Sequence, residues 1–290
     1  MPKPEVATSP ASAGSAGPTA SFRLAGRVGL VTGAAGLLGR EHCRALADAG
    51  ATVIATDLDE QACADLEQQM REEGRAAVRA VAADVTDGAS LARLRDEILR
   101  AHDRLDILVN NAALNEKVEG ATDGGDATRF ERFPVEQFRR ILDVNVTGTF
   151  LVCQVLGAEM ARRRSGSIIN IASTYGLVAP DQRLYRRPDG TQILWKSAGY
   201  PASKGAVLAF TRFLAAYWAA EGVRVNSLSP GGVGTEGQDP FFVAEYSRRT
   251  PLGRMARPDE YRGAIVYLAS DASSYMTGAN LTVDGGWTAW

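Results

Sequence analysis

Two residues of this sequence are spaced for proton transfer. Tyr200 and Lys204 stand in the segment Tyr200-Pro201-Ala202-Ser203-Lys204, at the start of the apolar stretch 205–220, which is typical of a buried helix. Residues four apart lie on one face of a helix, one turn from each other. A free tyrosine titrates at about pH 10, so a neighbouring ammonium that stabilises the phenolate gives such a pair a use in catalysis. A tyrosine followed four residues later by a lysine is common in proteins. Only the neighbouring motifs can show whether this pair is catalytic.

A glycine-rich segment follows the first apolar run of the chain. Thr32-Gly33-Ala34-Ala35-Gly36-Leu37-Leu38-Gly39 succeeds the run 28–32 and opens an amphipathic stretch that contains Leu46 and Ala47. Glycines permit positive φ and leave no Cβ in the way, so a turn of this kind lets backbone amides and a helix N-terminus face a pyrophosphate. Any tight strand-to-helix connection can also use glycine.

An acid ends the second apolar run, 52–56. Asp57 stands where a carboxylate can accept hydrogen bonds from both ribose hydroxyls of an adenosine. The same carboxylate repels the ribose phosphate of NADP, and Leu58-Asp59-Glu60 adds negative charge instead of a basic residue. The pattern favours NAD over NADP; a solvated acid at a strand end is the alternative interpretation.

The strands and helices that must position these residues alternate in a regular pattern along the sequence. From Arg27 onward, short apolar runs alternate with amphipathic stretches, as in βαβ units of a parallel sheet. The predicted strands are 28–32, 52–56, 76–82, 107–110, 167–172, 224–229 and 281–283. We predict one α/β domain over 22–290, a doubly wound parallel sheet of about seven strands with helices on both faces. Residues 1–21 are predicted to be a disordered tail, and 115–132 and 180–198 to be loops.

From about Leu24 to Trp287 the sequence resembles the short-chain dehydrogenase/reductase family. The similar motifs are Asp84-Val85, Asn110-Asn111-Ala112, Asp143-Val144-Asn145-Val146-Thr147-Gly148, and Ser173 at the end of the fifth predicted strand. The resemblance implies a Rossmann-like fold and a catalytic tetrad of Asn145, Ser173, Tyr200 and Lys204. In it, Ser173 holds the substrate oxygen, Tyr200 exchanges its proton and Lys204 binds the nicotinamide ribose. Asn145 positions a water behind Lys204.

The resemblance also implies a set of cofactor contacts. Asp84-Val85 contacts the adenine, Asn111-Ala112 lines the cofactor, and Pro230-Gly231-Gly232-Val233-Gly234-Thr235 closes over the nicotinamide, which carries the hydride. A plain Pro-Gly turn is the alternative for the last segment. The implied contact residues are Gly33, Gly36, Leu38, Gly39, Asp57, Asp84, Val85, Asn111, Ala112, Tyr200, Lys204, Pro230, Gly231, Val233 and Thr235.

The chain departs from the family at two places. Leu37 stands where the family usually has glycine, and its side chain either crowds the pyrophosphate or packs between helix and sheet; we expect the packing. The stretch between Ser173 and Tyr200 is about twice the family's usual length, and the loop 180–198 should border the substrate pocket. Arg183, Arg186, Arg187 and Lys196 suit a phosphate or carboxylate, and Tyr185 and Trp195 suit an apolar or sugar surface. A solvated basic flap is equally compatible.

The composition of the chain argues against several classes of binding partner and site. The formal net charge is −2 with interleaved signs, which argues against nucleic acid and membrane surfaces. Cys43, Cys63 and Cys153, with His42 and His102, are too scattered for a disulfide framework or a metal site, so we expect neither. Residues 1–21 lack the apolar stretch of a signal peptide, which favours a cytoplasmic protein. The C-terminal segments resemble those that build the family's subunit interfaces, which implies a homo-oligomer, with a tetramer favoured.

These observations predict an oxidoreductase that transfers a hydride between NAD(H) and a small secondary alcohol or ketone. The polar insertion favours a polyol, sugar or sugar derivative, and the substrate is expected to be sugar-like or anionic. Three alternatives fit the same residues. They are an NADPH-dependent reductase of oxoacyl or ketone substrates, a non-catalytic dinucleotide-binding protein, and an epimerase or dehydratase that acts through transient oxidation.

Overall fold

The computed structural model describes residues 19–115 and 126–290, and a single sheet of seven parallel strands runs through them. The strand order is β3-β2-β1-β4-β5-β6-β7. The strands are β1 (Val28–Thr32), β2 (Thr52–Asp57), β3 (Val78–Ala82), β4 (Ile107–Asn110), β5 (Gly166–Ile171), β6 (Val223–Pro230) and β7 (Asn280–Val283). The predicted doubly wound, Rossmann-like sheet is confirmed, and every predicted strand is present with only its ends shifted.

Helices cover both faces of the sheet. They are α1 (Leu37–Asp48), α2 (Glu60–Glu72), α3 (Gly88–His102), α4 (Val135–Leu142), α5 (Thr149–Val152), α6 (Ala158–Arg162), α7 (Gly199–Trp218), α8 (Pro240–Arg249) and α9 (Arg262–Ala269). One apolar core joins Leu46 of α1 and Ile265 of α9 to the sheet, and the other joins Leu91 of α3 and Leu214 of α7. Because each face is covered, the central strands read as continuous apolar runs.

The order of the strands places the functional edge. The chain winds outward from β1 to β3 and then returns to β4 on the other side of β1, so the direction reverses between β1 and β4. In open α/β sheets, ligands bind in the crevice beyond the carboxyl ends of the strands at such a reversal. The glycine turn after β1 and the Asn111 segment after β4 both begin there.

A long helical stretch, Val135–Arg162, packs beside α7. It contains α4, α5 and α6, joined by wide π-type turns at Asp143–Gly148 and Cys153–Gly157. By length and composition it is the one helix of the described residues that could cross a membrane, and nearly half of its apolar window is buried inside the protein. One such helix is weak evidence for a membrane span, because core helices of soluble proteins pass the same test. The first π-type turn carries Asn145, in keeping with the frequent occurrence of π-bulges at functional sites.

Two predicted segments fall largely outside the described residues. The predicted tail 1–21 lies beyond the description except for its last residues, which enter the short turn Ala20–Phe22. The predicted loop 115–132 is described only at its two ends. The loop 180–198 is described throughout and is more ordered than the sequence suggested. It contains a short 3₁₀ helix, Gln182–Tyr185, and a bridge between Arg186 and Gln192.

Candidate active site

A cleft of about 1240 Å³ opens at the carboxyl edge of the sheet. Its floor is formed by the ends of the central strands, and its walls by the glycine turn, the start of α7, the insertion 180–198 and the segment after β6. Most of the residues predicted from the sequence line it: Gly33, Gly36, Leu38, Asp57, Asp84, Val85, Asn111, Ala112, Ser173, Tyr200, Lys204, Pro230, Gly231, Val233 and Thr235. Gly39 and Asn145 are the two that stand behind the walls.

The glycine turn has a shape that side chains would destroy. Gly33 has φ +61°, and a Cβ there would lie 2.7 Å from the Ala112 Cα. A Cβ at Gly39 would lie 2.1 Å from the Gly33 carbonyl oxygen, so Gly39 serves the close packing of α1 against the turn and does not itself face the cleft. Gly36 caps α1, the start of this helix lines the cleft, and the first amides of a helix have no acceptors within it. The turn therefore fits a pyrophosphate.

Leu37 corrects one expectation. Its side chain is 48% exposed and lines the cleft, whereas packing between helix and sheet was expected. The side chain that packs on the core is that of the next residue, Leu38. The reason is the starting register of α1, because a helix that begins at residue 37 turns its first side chain outward and its second inward.

Asp57, at the end of β2, is held in the cleft wall by backbone amides. One carboxylate oxygen accepts a hydrogen bond from the Ala35 amide at 3.0 Å, and the other accepts one from the Leu58 amide at 2.8 Å. Leu58 is largely exposed and lines the cleft beside it. On the neighbouring strand end, Asp84 accepts hydrogen bonds from the amide and hydroxyl of Thr86.

The segment after β4 braces the glycine turn. The Asn111 side-chain amide donates to the carbonyl oxygens of Thr32 and Gly33 at 3.1 and 2.9 Å. The Thr32 hydroxyl accepts hydrogen bonds from the amides of Asn111 and Ala112. One residue earlier, Asn110 donates to the Asn170 side chain at 2.8 Å and links β4 to β5. These contacts hold the turn and the sheet edge in one geometry.

Tyr200 and Lys204 lie in the first turns of α7, as their spacing predicts. The Lys204 Nζ atom is 5.6 Å from the centre of the Tyr200 ring and donates a hydrogen bond of 2.7 Å to the Ile171 carbonyl oxygen. Burial lowers the pKa of Lys204 from 10.5 to about 8. The pair thus places a buried amine beside a phenol at the floor of the cleft.

Ser173 and Asn145 occupy different depths. Ser173 follows β5, lines the cleft, and its hydroxyl accepts a hydrogen bond from the Tyr175 amide at 3.1 Å. Asn145 is buried, bonds both the amide and the carbonyl of Leu114, and donates to the Ser203 hydroxyl at 2.9 Å. Ser203 in turn donates to the Tyr200 carbonyl oxygen. Asn145 therefore ties the loop after β4 to the turn of α7 that carries Tyr200.

The insertion divides its predicted residues between cleft and surface. Tyr185, Arg187 and Lys196 line the cleft, and Tyr185 stacks on Phe242 with ring centres 5.5 Å apart. Arg183 pairs instead with Asp181 at 2.9 Å, and Arg186 contacts Gln192. Trp195 does not line the cleft, and the Arg129 guanidinium lies 5.6 Å from its ring centre. Loop side-chain directions depend on how the insertion packs, which the sequence did not reveal.

Tyr175 is among the cleft residues that the sequence reasoning missed. Tyr175 stands two positions beyond Ser173, and burial, with Tyr185 and Tyr200 nearby, raises its pKa. Its phenol therefore stays protonated and can donate a hydrogen bond at neutral pH. Its nearness to Ser173 in the chain was the available signal.

Two family models together match most of the chain. Residues 27–185 match the family model of short chain dehydrogenases, and 189–288 match one described as enoyl-(acyl carrier protein) reductase. A galactitol 2-dehydrogenase (L-tagatose-forming) from Cereibacter sphaeroides is 38% identical over 274 residues, covering 93% of this chain and 98% of the relative. A D-threitol dehydrogenase from Mycolicibacterium smegmatis is 36% identical over 271 residues, 92% and 95% of the two chains.

The fold matches solved structures equally well. A gluconate 5-dehydrogenase from Burkholderia cenocepacia, in complex with NADP and tartrate, superposes with a TM-score of 0.80 at 33% identity. The match covers 93% of this chain and 98% of that one. The chain therefore belongs to the short-chain dehydrogenase/reductase family.

Proposed function

We propose that this protein is an NAD(H)-dependent dehydrogenase of small secondary alcohols, with a polyol, sugar or sugar derivative as substrate. One observation carries the proposal. The cleft brings the Tyr200 phenol, the Lys204 amine and the Ser173 hydroxyl together beside the glycine turn, which lines the same cleft. A binding protein without catalysis has no need of the first three groups.

The chain's own residues supply binding, orientation and proton transfer. When bound, a nicotinamide dinucleotide supplies the hydride acceptor or donor. Ser173, just beyond the carboxyl end of β5, holds the reacting oxygen of the substrate. The phenolic oxygen of Tyr200 takes the proton of the substrate hydroxyl or returns it. Lys204, fixed by the Ile171 carbonyl, stabilises the phenolate form. Asn145 keeps the Tyr200 turn in register through Ser203.

Asp57 supports NAD as the cofactor. Its carboxylate is fixed by two backbone amides at the end of β2, where it meets the ribose hydroxyls of an adenosine lying over the glycine turn. A 2′-phosphate at this place would meet a fixed negative charge at short range.

An NADPH-dependent reductase of ketone or oxoacyl substrates is the second candidate. It is favoured by the NADP held in the Burkholderia gluconate 5-dehydrogenase structure and by the reductase description matched over 189–288. The relatives that support the first candidate are named for galactitol and D-threitol, both polyols. Cofactor preference separates the two candidates.

The direct test combines binding and turnover. Purified protein is titrated with NADH and with NADPH by fluorescence, and then assayed for NAD reduction with alditols of four to six carbons. We expect tight binding of NADH, weak binding of NADPH, and oxidation of at least one alditol. Tyr200→Phe should keep NADH binding and lose turnover by about a thousandfold, within the range that acid–base catalysis contributes. Preference for NADPH with turnover of ketones alone would establish the second candidate.

We also infer that the protein forms a homo-oligomer in the cytoplasm, with a tetramer favoured. The exposed rings of Phe150, Phe213 and Tyr217 form an apolar surface on α5 and α7, and a second copy can cover this surface with its own. Sedimentation velocity tests the assembly. A Phe213→Asp variant should dissociate, whereas a wild-type monomer at micromolar concentration would rule the assembly out.

A further inference from the structure

The insertion 180–198 forms one wall of the cleft and packs in a fixed position against the rest of the domain. Leu184, Tyr185 and Leu194 are buried in an apolar cluster with Tyr246 of α8 and Trp287 near the C-terminus. The Tyr246 and Trp287 rings stack with centres 4.1 Å apart. A flap held only by solvent would bury none of these side chains, so the insertion has a fixed place against the domain.

Polar contacts fix the insertion's own shape. The Gln182 side chain accepts a hydrogen bond from the Lys196 amide and donates one to the Lys196 carbonyl. The Gln192 side-chain amide donates to the carbonyls of Gln182 and Leu194. Asp181 pairs with Arg183 and, at 3.0 Å, with Arg249 of α8. The side chains that this frame turns into the cleft are therefore held in defined positions.

Two of those side chains are cationic. Lys196 is only 6% exposed, its Nζ atom lies 5.1 Å from the centre of the Tyr200 ring, and it contacts the Asn115 side chain. Arg187 lines the same cleft, at its rim, and its guanidinium forms no ion pair with any residue in the described ranges 19–115 and 126–290. The insertion's other arginines, Arg183 and Arg186, point elsewhere.

We propose that the substrate carries an anionic group, a carboxylate or a phosphate, which Arg187 and Lys196 bind. This rests on the proposed dehydrogenase function. A guanidinium matches either anion through paired hydrogen bonds. A charge buried like that of Lys196 acts on a neighbouring anion at a lower effective dielectric than in water. Lys196 lies beside Tyr200, so the anion is held within reach of the reacting hydroxyl.

The carboxylates around the cleft do not prevent an anion from binding to Arg187 and Lys196. Asp57 ends β2, Asp84 follows β3 and bonds Thr86, and Asp239 caps α8 by accepting a hydrogen bond from the Phe241 amide. Asp181 is engaged by two arginines outside the cleft. Glu236, on the segment after β6, is exposed at the rim. An anionic substrate thus meets cations where the insertion contributes the wall.

The test compares pairs of related substrates of which one member carries an anionic group and the other is neutral. Gluconate is paired with glucitol, galactonate with galactitol, and glucitol with glucitol 6-phosphate. We expect the anionic member of at least one pair to have a kcat/KM at least about tenfold higher, mainly through a lower KM. Preference for an aldonate identifies the carboxylate and preference for the alditol phosphate identifies the phosphate. Added salt should raise the KM of the anion only.

Variants locate the interaction. Arg187→Gln should raise the KM of the anionic member about tenfold and leave the neutral member unchanged. Arg186→Gln, a change of the same charge one residue away and outside the cleft, should alter neither. Lys196→Met should remove the preference for the anion, and Lys196→Arg should restore part of it. Equal or better turnover of the neutral member, or equal effects of Arg187→Gln on both, would overturn the proposal.

A binding experiment separates this proposal from the function on which it rests. Calorimetry of the NADH complex with gluconate and glucitol 6-phosphate, on wild type and Arg187→Gln, reports the anion site without turnover. Binding that Arg187→Gln weakens supports the site even where no alcohol is oxidised. Absence of binding, or binding that the variant leaves unchanged, refutes the anion site while oxidation of neutral alditols leaves the dehydrogenase function standing.

Discussion

The carboxylate of Asp57 accepts a hydrogen bond of 3.0 Å from the backbone amide of Ala35, so the acid that ends β2 is fastened to the glycine turn that follows β1. The two features that the sequence offered separately for the cofactor are one structural unit. Movement of either strand end would change the turn and the position of the Asp57 carboxylate together.

Replacement of Asp57 should therefore change both affinity and selectivity. We expect Asp57→Ala to weaken NADH binding about tenfold, because the ribose hydrogen bonds are lost. The dissociation constant of NADPH divided by that of NADH should fall at least about tenfold. Fluorescence titration of both cofactors measures this. Asp59→Asn is the matched control, because it removes a nearby charge and keeps a good helix cap. Equal ratios in Asp57→Ala and wild type would show that Asp57 does not select the cofactor.

Leu37 should limit cofactor affinity, since its side chain faces the cleft beside the glycine turn. We expect Leu37→Gly to tighten NADH binding several-fold, at a cost in stability of about 1 kcal/mol or less for glycine in a helix. Leu37→Phe should weaken binding. Leu38→Ala is the contrast, because Leu38 packs on the core and its truncation should chiefly lower the free energy of unfolding. Weaker binding by Leu37→Gly would mean that the leucine contacts the cofactor favourably.

The outcome at Leu37 illustrates where sequence reasoning stops. The strands could be predicted because both faces of the sheet are covered, which leaves uninterrupted apolar runs such as 28–32 and 107–110. The tyrosine and lysine could be predicted to share a face because four residues make about one helical turn. The register of α1, however, depends on the residue at which the turn ends, and a shift of one position exchanges Leu37 with Leu38.

The insertion shows the same limit on a larger scale. Its composition suggested cations and aromatic rings near the substrate, and Lys196, Arg187 and Tyr185 do line the cleft. Trp195 and Arg183 do not, because the side chains of Gln182 and Gln192 and the cluster around Tyr246 decide which way the loop faces. The cluster joins the insertion to residues far away in the chain, Tyr246 and Trp287, and no local pattern encodes such a contact.

Lys204 should make stability depend on pH in the alkaline range. Its pKa is lowered from 10.5 to about 8 by burial, so the unfolded chain binds more protons than the folded one between these values. The contribution of Lys204 to the free energy of unfolding therefore increases as the pH rises from about 8 to 10.5, by about 3 kcal/mol in all. Urea unfolding at pH 7.5 and pH 10 should show this rise in wild type and its loss in Lys204→Met.

Arg212→Met supplies the control for that comparison. Arg212 lies on the exposed face of the same helix, α7, so its removal should leave the pH dependence of wild type in place. A Lys204→Met variant whose stability follows the wild-type curve over the whole range would contradict the assignment.

His42 should make the protein sensitive to mild acid. It is fully buried in α1, neither ring nitrogen has a hydrogen-bond partner among the described residues, and burial lowers its pKa from 6.5 to about 3. The unfolded chain binds the proton first as the pH falls below 6.5, so stability is lost on acidification toward pH 3. Between pH 7 and pH 5 the wild-type protein should lose about 2 kcal/mol more than His42→Leu, which has no proton to bind.

The second histidine makes that prediction specific. His102, at the end of α3, is partly exposed, and His102→Leu should retain the acid sensitivity of wild type. Guanidinium unfolding of the three proteins at pH 7, 6 and 5 gives the comparison directly. If His42→Leu and His102→Leu lose stability in parallel with wild type, the acid sensitivity comes from carboxylates that gain protons and not from the buried imidazole.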